Sequence, residues 1–299
     1  MDKLKQIIMK SININNFVAK KITELSQIAT DQSFNFSKNE IEDELEEVSK
    51  KLSELQDKMY AHNRYGVLIC LQGMDTSGKD SLIREVFKHF NARGVVVHSF
   101  KVPNSTELEH DYIWRHYLAL PEKGKFAVFN RTHYENVLVT RVHPEYILGE
   151  NLPNITQVED VNAGFWDKRF EQIKNFEKHI SENGTIIFKF YLHMSKEEQK
   201  KRLLKRLENP EDQWKFSTGD LKERALWDDY MTVYEDAINR TSTDYAPWYV
   251  IPADDKPTAR YLVAKAILER LQKLKDIKEP TLDAKTLANL EIYKAELKK

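Results

Sequence analysis

The stretch 71-LQGMDTSGKDSL-82 decides how the fold is read, because a glycine-rich loop there joins an apolar run to an amphipathic segment. Its Gly-x-x-x-x-Gly-Lys spacing, which ends at Lys79, is typical of loops whose backbone N–H groups cradle phosphates. A Ser or Thr that touches Mg²⁺ usually follows the lysine, whereas Asp80 follows here and Asp75 lies inside the loop. Two carboxylates would repel a phosphate, so the stretch predicts that a metal ion accompanies the ligand.

The position of this loop supports a phosphate site. The loop follows the apolar run 66-GVLICLQ-72 and opens a helix, so its N–H groups and the positive end of the helix dipole share one concavity. Asp75 or Asp80 would hold Mg²⁺, for which Mn²⁺ would be the substitute; alternatively Asp75 orients an attacking phosphate oxygen. The predicted phosphate-binding residues of the loop are Gly73, Met74, Thr76, Ser77, Gly78, Lys79 and Asp80.

The composition is that of an ordinary globular protein. Of 299 residues, 41% are apolar and 31% charged, and 46 basic against 47 acidic residues leave a net charge of −1. This balance gives no reason to expect a nucleic-acid partner. A single cysteine, Cys70, permits no intrachain disulfide, and no run of about 18 apolar residues predicts a membrane span. We read no secretory signal at the N-terminus and expect a cytoplasmic protein without a membrane partner.

Short apolar runs alternate with amphipathic segments from residue 66 onward. Strands are predicted at 66–72, 95–100, 125–130, 185–193 and 247–252, and helices at 78–91, 105–119, 132–142, 157–182, 195–208, 219–239 and 256–275. Strands separated by helices predict an α/β fold with a mainly parallel sheet flanked by helices on both faces. We predict an N-terminal arm outside the core at 1–36, one domain at 37–279, and a C-terminal helical tail at 280–299.

A long helix is predicted before the first strand. Ser37 and Glu40 resemble a capping box, and apolar residues then recur with a spacing of three and four. These residues are Ile41, Leu45, Val48, Leu52, Leu55 and Met59. The stripe would pack on the body of the domain or pair with a second subunit.

A second set of polar residues follows the strand 125-KFAVFN-130. Asn130 stands where phosphate-loop enzymes usually place a second metal-binding acid, and Arg131 would neutralise charge on a transferring phosphoryl group. Glu135 lies four residues after Arg131, so it forms either an exposed helix pair or a part of the site.

The chain resembles the polyphosphate kinase 2 family, and within it class III. The resemblance covers nearly all of residues 38–275. The stretches that carry it are 71-LQGMDTSGKD-80, 101-KVPNSTELEHDYIWRHYLALP-121, 129-FNRTHYENVLVTRVHPEY-146, 214-WKFSTGDLKER-224 and 248-WYVIPADDK-256.

This resemblance implies a P-loop kinase fold, similar to thymidylate kinase, with an α-helical lid at about 195–230. It implies Mg²⁺-dependent, reversible phosphoryl transfer between inorganic polyphosphate and adenine nucleotides, AMP and ADP, which yields ADP and ATP. It further implies a homo-oligomer, a dimer or tetramer. The implied catalytic residues are Asp75, Lys79 and Arg131, and Arg131 would also bind phosphate. Asp75 and Asp80 are the implied metal ligands. Asn130 and Glu135 would form a class-specific acceptor or metal site.

A polyanionic donor needs several cations in a row, and the helix predicted at 195–208 carries such a run. Like charges four residues apart destabilise a helix unless an anion lies between them. The run is either a solvated face or a binding site for polyphosphate. The candidate polyphosphate-binding residues of the lid are Lys200, Lys201, Arg202, Lys205, Arg206, Lys215 and Arg224.

Two other functions fit the same residues. One is an ATP-dependent kinase of nucleotides or other small molecules on the same fold. The other is a protein that binds nucleotide or polyphosphate without catalysis, against which Asp75, Lys79 and Arg131 argue, since binding alone does not need all three.

Overall fold

A five-stranded sheet lies at the centre of the protein, whose computed structural model describes residues 12–32, 34 and 36–299. Its strands are β1 (Gly66–Gln72), β2 (Val95–Ser99), β3 (Phe126–Asn130), β4 (Thr185–His193) and β5 (Trp248–Pro252). They follow one another across the sheet in the order β2-β3-β1-β4-β5, and every neighbouring pair is parallel. The predicted parallel sheet is confirmed, and each predicted strand lies within one residue of its observed bounds.

Burial explains why the central strands have continuous apolar sequences. Every residue of β1 and β3 is buried, because helices cover both faces of the sheet there. The edge strand β2 differs, since its Val96 and Val97 side chains are 47% and 46% exposed. Helices therefore do not cover both faces of the sheet at this edge, as had been predicted for the whole sheet.

Helices flank the sheet and extend beyond its C-terminal strand. They are α1 (Lys38–His62), α2 (Lys79–Val86), α3 (Ser105–Leu108), α4 (Trp114–Leu118), α5 (Val139–Val142), α6 (Ala163–Glu182), α7 (Lys196–Glu208), α8 (Thr218–Ala225), α9 (Trp227–Thr241), α10 (Lys256–Leu271), α11 (Ala284–Ala288) and α12 (Leu290–Leu297). No residue of α11 or α12 is buried. Within residues 12–32, 34 and 36–299, no helix is both long and apolar enough to cross a membrane.

Four predicted helices are interrupted. The segment 157–182 begins as a 3₁₀ helix at Val158–Asp160, and two non-helical residues separate that turn from α6. The segment 105–119 divides into α3 and α4, because the Asp111 carboxylate accepts a hydrogen bond from the Ile113 backbone N–H and starts a new turn. The segment 132–142 begins as a 3₁₀ helix at His133–Val137 before α5, and 219–239 divides into α8 and α9. Apolar periodicity does not reveal such breaks, since they depend on local side-chain hydrogen bonds.

The apolar stripe of α1 packs on the body of the protein. Both hydrogen bonds of the predicted Ser37–Glu40 capping box are present. The stripe is buried in the main core, where α1 lies along α10. Its buried members are Ile41, Leu45, Val48, Leu52 and Met59. Packing is thus the use of this stripe, and pairing with a second subunit would need another surface.

The described part of the segment before α1 contributes to the core, which differs from the predicted peripheral arm. Ile14 and Leu25 are each only 3% exposed. The Ala19 backbone N–H donates to the Trp248 carbonyl oxygen at 2.8 Å, so the segment lies against β5. A few widely spaced apolar residues, such as Ile14 and Leu25, are thus enough to pack this segment against the edge of the sheet. The arm predicted for 1–36 also includes residues 1–11, 33 and 35, which lie outside the described residues.

We predict that Leu52→Ala lowers the free energy of unfolding by about 2–5 kcal/mol, because Leu52 is fully buried between α1 and its neighbours. Lys51→Ala, at an exposed position one residue away, is the matched control and should change stability by less than about 0.5 kcal/mol. Urea denaturation followed by circular dichroism measures both. Equal effects of the two changes would contradict the assigned packing.

Candidate active site

The loop between β1 and α2 requires glycine at both ends. Gly73 and Gly78 have φ values of 151° and 103°. A Cβ atom on Gly73 would lie 2.8 Å from Ser77 Oγ and 3.0 Å from the Leu192 carbonyl oxygen, so no side chain fits there. Thr76 also has a positive φ of 66°, which costs a residue with a side chain about 1–2 kcal/mol. The loop is therefore a tight turn of the kind that points backbone N–H groups at an anion.

Lys79 places a positive charge inside this turn. Its Nζ donates to the carbonyl oxygens of Gly73 at 2.7 Å and Met74 at 3.3 Å. Burial lowers the pKa of the Lys79 ammonium, and the Asp75 carboxylate opposes that shift. The ammonium thus lies against the loop itself, within reach of a phosphate bound there.

Two contacts join the loop to the end of β3. The Arg131 guanidinium donates to Asp75 Oδ1 at 3.0 Å, and Asn130 Nδ2 donates to Asp80 Oδ1 at 2.6 Å. Arg131 Nη1 also lies 3.6 Å from Glu135 Oε2. The structure therefore brings together the residues that the sequence singled out in two separate segments.

Arg131 has an unusual backbone conformation, and its guanidinium is positively charged. Its φ is 62°, in the left-handed region, which is uncommon for residues other than glycine and occurs often at functional sites. Burial alone would lower the pKa of the Arg131 guanidinium, but Glu135 and Asp75 outweigh burial and raise it. A cation is thus held between two carboxylates beside the phosphate loop.

Helix α7 braces the phosphate loop from the side. Each N–H group of the Arg202 guanidinium donates to a protein acceptor, and four of these acceptors are main-chain carbonyls. The acceptors are the carbonyl oxygens of Thr76, Ser77, Ala253 and Asp254, and the Glu198 carboxylate. The Arg202 guanidinium therefore links the loop to the segment after β5. The polyphosphate-binding role predicted for Arg202 stays a prediction.

Two other arginines predicted to bind polyphosphate are also engaged within the protein. Arg206 donates to the Lys215 carbonyl oxygen and to Asp220, while Arg224 donates to the Lys196 carbonyl oxygen. These bonds join α7 to α8, the helices of the predicted lid. The lysines among the predicted polyphosphate-binding residues, Lys200, Lys201, Lys205 and Lys215, are exposed. Of these, Lys215 donates from Nζ to Asp212 Oδ1 at 2.6 Å.

Several contacts of the loop were not predicted from the sequence. Gln199 Nε2 donates to the Asp75 carbonyl oxygen at 3.1 Å, from the buried face of α7. Lys256, at the start of α10, has its Cε 3.9 Å from the position that a Cβ atom on Gly78 would take. Two sequence signals pointed to Lys256. It ends the family-like stretch 248-WYVIPADDK-256, and it follows the end of a strand, where ligand-binding residues collect in parallel sheets.

A buried ion pair lies behind the site. Lys189 Nζ, on β4, donates to Glu177 Oε2 at 2.7 Å and to the Tyr134 hydroxyl at 2.9 Å. Glu177 also contacts His133 Nε2 at 3.2 Å. Burial would raise the pKa of Glu177, but Lys189 and His133 outweigh it and lower that pKa, so the pair stays charged.

This pair supports the turn that carries Arg131 and Glu135. His133 and Tyr134, which lie between those two residues, both contact the Glu177 carboxylate. A lone lysine inside the apolar strand 185-TIIFKFYLH-193 was the available signal, because a buried lysine needs an anionic partner. The partner itself could not be read from the sequence.

We predict that Lys189→Met lowers the free energy of unfolding by about 3–5 kcal/mol, since it leaves the Glu177 charge buried without its partner. The double variant with Glu177→Leu removes both charges and should recover most of that loss. Urea denaturation of the two variants and the parent protein measures the difference. A loss below about 1 kcal/mol in the single variant would contradict a charged pair in the core.

Comparisons with known proteins agree with this geometry. The family model described as Polyphosphate kinase 2 matches residues 35–279. The ADP-polyphosphate phosphotransferase of Rhodopseudomonas palustris is 49% identical over 226 residues, which are 76% of this chain and 77% of that protein. The AMP/ADP-polyphosphate phosphotransferase of Meiothermus ruber is 46% identical over 227 residues, 76% of this chain and 79% of that protein.

A solved structure extends the similarity to the whole fold. The crystal structure of polyphosphate kinase 2 from Arthrobacter aurescens TC1 superposes with a TM-score of 0.84 and 34% identity, and the match covers 94% of this chain and 95% of that one. The predicted P-loop kinase fold is thereby confirmed. The chain belongs to the polyphosphate kinase 2 family.

Proposed function

We propose that this chain transfers phosphoryl groups from inorganic polyphosphate to AMP and to ADP, which yields ADP and ATP, as expected of class III. The observation that carries the proposal is the meeting of Lys79 and Arg131 at one phosphate loop, on the carboxyl edge of the sheet. The names of the relatives from Rhodopseudomonas palustris and Meiothermus ruber support the donor and the acceptors.

The residues have distinct roles in this reaction. A terminal phosphate oxygen of the nucleotide attacks the terminal phosphorus of the polyphosphate, and the bridging P–O bond breaks to release a chain shorter by one phosphate. The loop N–H groups and Lys79 hold the donor phosphates, and Arg131 neutralises charge on the transferred group. Because one phosphoanhydride replaces another, the transfer is reversible and needs no covalent enzyme intermediate.

The loop carboxylates fit a metal ion shared with the substrate. Within the described ranges, His, Cys, Asp and Glu side chains form no group of three or more that would bind a metal alone. Mg²⁺ in phosphoryl-transfer sites takes one or two carboxylates and completes its shell with phosphates and water. Asp80 is exposed and uses one carboxylate oxygen on Asn130, whereas Asp75 is paired with Arg131. Asp80, with Asp75 beside it, would hold Mg²⁺ or Mn²⁺, which supplies charge neutralisation on the phosphates.

The proposal also covers the cellular location and the oligomeric state of the enzyme. We place it in the cytoplasm, where AMP and ADP are available. We expect a homo-oligomer, a dimer or tetramer, from the family resemblance. The α1 stripe is covered by α10, so the contact between subunits would use another surface.

One assay tests the reaction directly. The pure protein with Mg²⁺, long-chain polyphosphate and either AMP or ADP, and with no ATP added, should form ADP and ATP, resolved by anion-exchange chromatography. Transfer that requires ATP as the donor would identify an ATP-dependent kinase instead. Binding of polyphosphate or nucleotide without any product would identify a non-catalytic protein.

We predict that Lys79→Met and Arg131→Met each lower kcat by about 10²–10³, because each removes a charge that stabilises the transferred phosphoryl group. Lys178→Gln, an exposed cation on α6, is the control and should leave kcat unchanged. Initial rates at saturating substrates measure kcat, and thermal melting of each variant reports its folding. A well-folded Lys79→Met variant with parental kcat would refute the assigned role.

A further inference from the structure

Residues 12–32, which we call the strap, are held to distant parts of the fold by hydrogen bonds. The Leu25 backbone N–H donates to Glu235 Oε2 on α9 at 2.7 Å. Thr23 and Asn239, which is also on α9, exchange two bonds, from the Thr23 N–H at 2.7 Å and from Asn239 Nδ2 at 2.9 Å. These partners lie 210 and 216 positions apart in the chain. The strap therefore has a fixed path along α9.

The strap also covers the end of β4. His193, the last residue of that strand, is only 5% exposed, and its Nε2 lies 3.1 Å from the carbonyl oxygens of both Leu25 and Ile28. Because a carbonyl oxygen only accepts, this nitrogen carries the ring hydrogen. Leu192, the neighbouring residue, has its carbonyl oxygen 3.0 Å from the position that a Cβ atom on Gly73 would take. The strap thus lies beside the strand end that borders the phosphate loop.

Asp254, just after β5, joins the strap to the start of α7. Thr30 Oγ1 donates to Asp254 Oδ2 at 2.7 Å, and the Asp254 backbone N–H donates to the Thr30 carbonyl oxygen at 3.0 Å. The other carboxylate oxygen, Oδ1, accepts from the backbone N–H of Ser195 at 2.7 Å. Ser195 is the N-cap of α7. Each oxygen of this carboxylate therefore holds a different element.

Helix α7 continues these contacts to the phosphate loop. The Asp254 carbonyl oxygen accepts from Arg202 Nη2 at 2.8 Å, and Arg202 Nη1 donates to the Thr76 carbonyl oxygen at 3.0 Å. Gln199, one turn before, donates to the Asp75 carbonyl oxygen. The strap, Asp254, α7 and the backbone of the loop are thus connected by an unbroken series of hydrogen bonds.

The loop needs such support because part of its backbone is strained. Thr76, whose carbonyl oxygen Arg202 contacts, has a φ of 66°. Residues in this conformation persist only where the surrounding structure holds them. Both oxygens of the Asp254 carboxylate already accept from protein donors, which favours support of the loop over binding of a ligand. A shift of the loop by about 1 Å would slow phosphoryl transfer about 10²-fold.

We propose that Asp254 is a positioning residue of the transfer reaction, through which the strap fixes the start of α7 and thereby the backbone of the phosphate loop. The inference rests on the proposed function, because it takes this loop as the place where the donor phosphates are held. It gives the strap a role in the reaction, although no strap residue reaches the loop directly.

Kinetics of folded variants test this role. Thr30→Val removes the hydroxyl that bonds to Asp254, and Asp254→Ala removes both carboxylate bonds. We expect kcat with polyphosphate and ADP to fall about three- to tenfold in the first variant and about 10²-fold in the second, with KM for ADP at the parental value. The rates are measured well below the melting temperature of every variant. A merely structural role would lower the melting temperature and leave kcat of the folded protein unchanged.

Conservative variants should rescue kcat. Thr30→Ser keeps the hydroxyl and should have nearly parental kcat. Asp254→Asn keeps one oxygen for the Ser195 N–H and offers its own N–H groups to the Thr30 hydroxyl, so it should be faster than Asp254→Ala. Thr286→Val on α11 is the matched control, because it breaks an exposed Thr–Asp bond of 2.6 Å, to Asp283, outside this series of contacts. It should leave kcat unchanged.

Hydrogen–deuterium exchange tests the same contacts without catalysis. Mass spectrometry of peptides that contain residues 73–79 should show exchange of the loop amides about fivefold faster in Thr30→Val and Asp254→Ala. Peptides from β3 should exchange at the parental rate. If Asp254→Ala does not fold, Thr30→Val, which leaves the carboxylate in place, still provides both measurements.

The outcomes are distinct. Lower kcat together with faster exchange of the loop amides, both reversed in Thr30→Ser, supports the positioning role. Parental kcat in folded Thr30→Val and Asp254→Ala overturns it, as does a lower kcat without faster exchange of the loop. Equal losses in Thr30→Val and Thr30→Ser would also overturn it, because the hydroxyl would not be the cause. A parent protein that makes no ATP from polyphosphate overturns the proposed function, and the exchange rates then still show whether the strap holds the loop.

Discussion

The site depends on the parallel register of β1 with β3. Leu71 lies opposite Asn130, so both strands end at the same level and the loop after β1 meets the turn after β3. The Asp80–Asn130 and Asp75–Arg131 contacts then span only two neighbouring strand ends. A slip by one residue would turn Asn130 to the other face of the sheet and separate these pairs. Burial of every residue in both strands makes such a slip costly.

Charge balance explains the unusual acids of the loop. Asp75 is matched by Arg131, and Asp80 accepts a hydrogen bond from the neutral Asn130. The loop therefore carries more negative charge than a loop with Ser or Thr after the lysine. Such a loop binds phosphates well only when cations compensate the acids. Lys79, Arg131 and a divalent metal ion would provide that compensation.

Much of the architecture could be predicted because it depends on local patterns. Apolar runs identified all five strands, and the capping box with its stripe located α1. The loop and the Asn130–Arg131 pair were recognisable because each follows directly on a strand. Helix breaks were not, since a single bond such as Asp111 to the Ile113 N–H ends a helix without changing the apolar pattern. The burial of Ile14 and Leu25 was also missed, because docking on β5 is a long-range contact.

The sequence by itself determined the class of chemistry, because the glycine and lysine spacing of a phosphate loop is a local requirement of backbone geometry. Tertiary structure decided which cations remain available. Arg202 and Lys256 look equally basic in sequence, yet Arg202 is used by main-chain carbonyls while Lys256 makes no such bond among the described residues. Likewise, only folding shows that Lys189 has Glu177 as its partner. A charge is free or engaged according to the acceptors around it, and those acceptors come from distant parts of the chain.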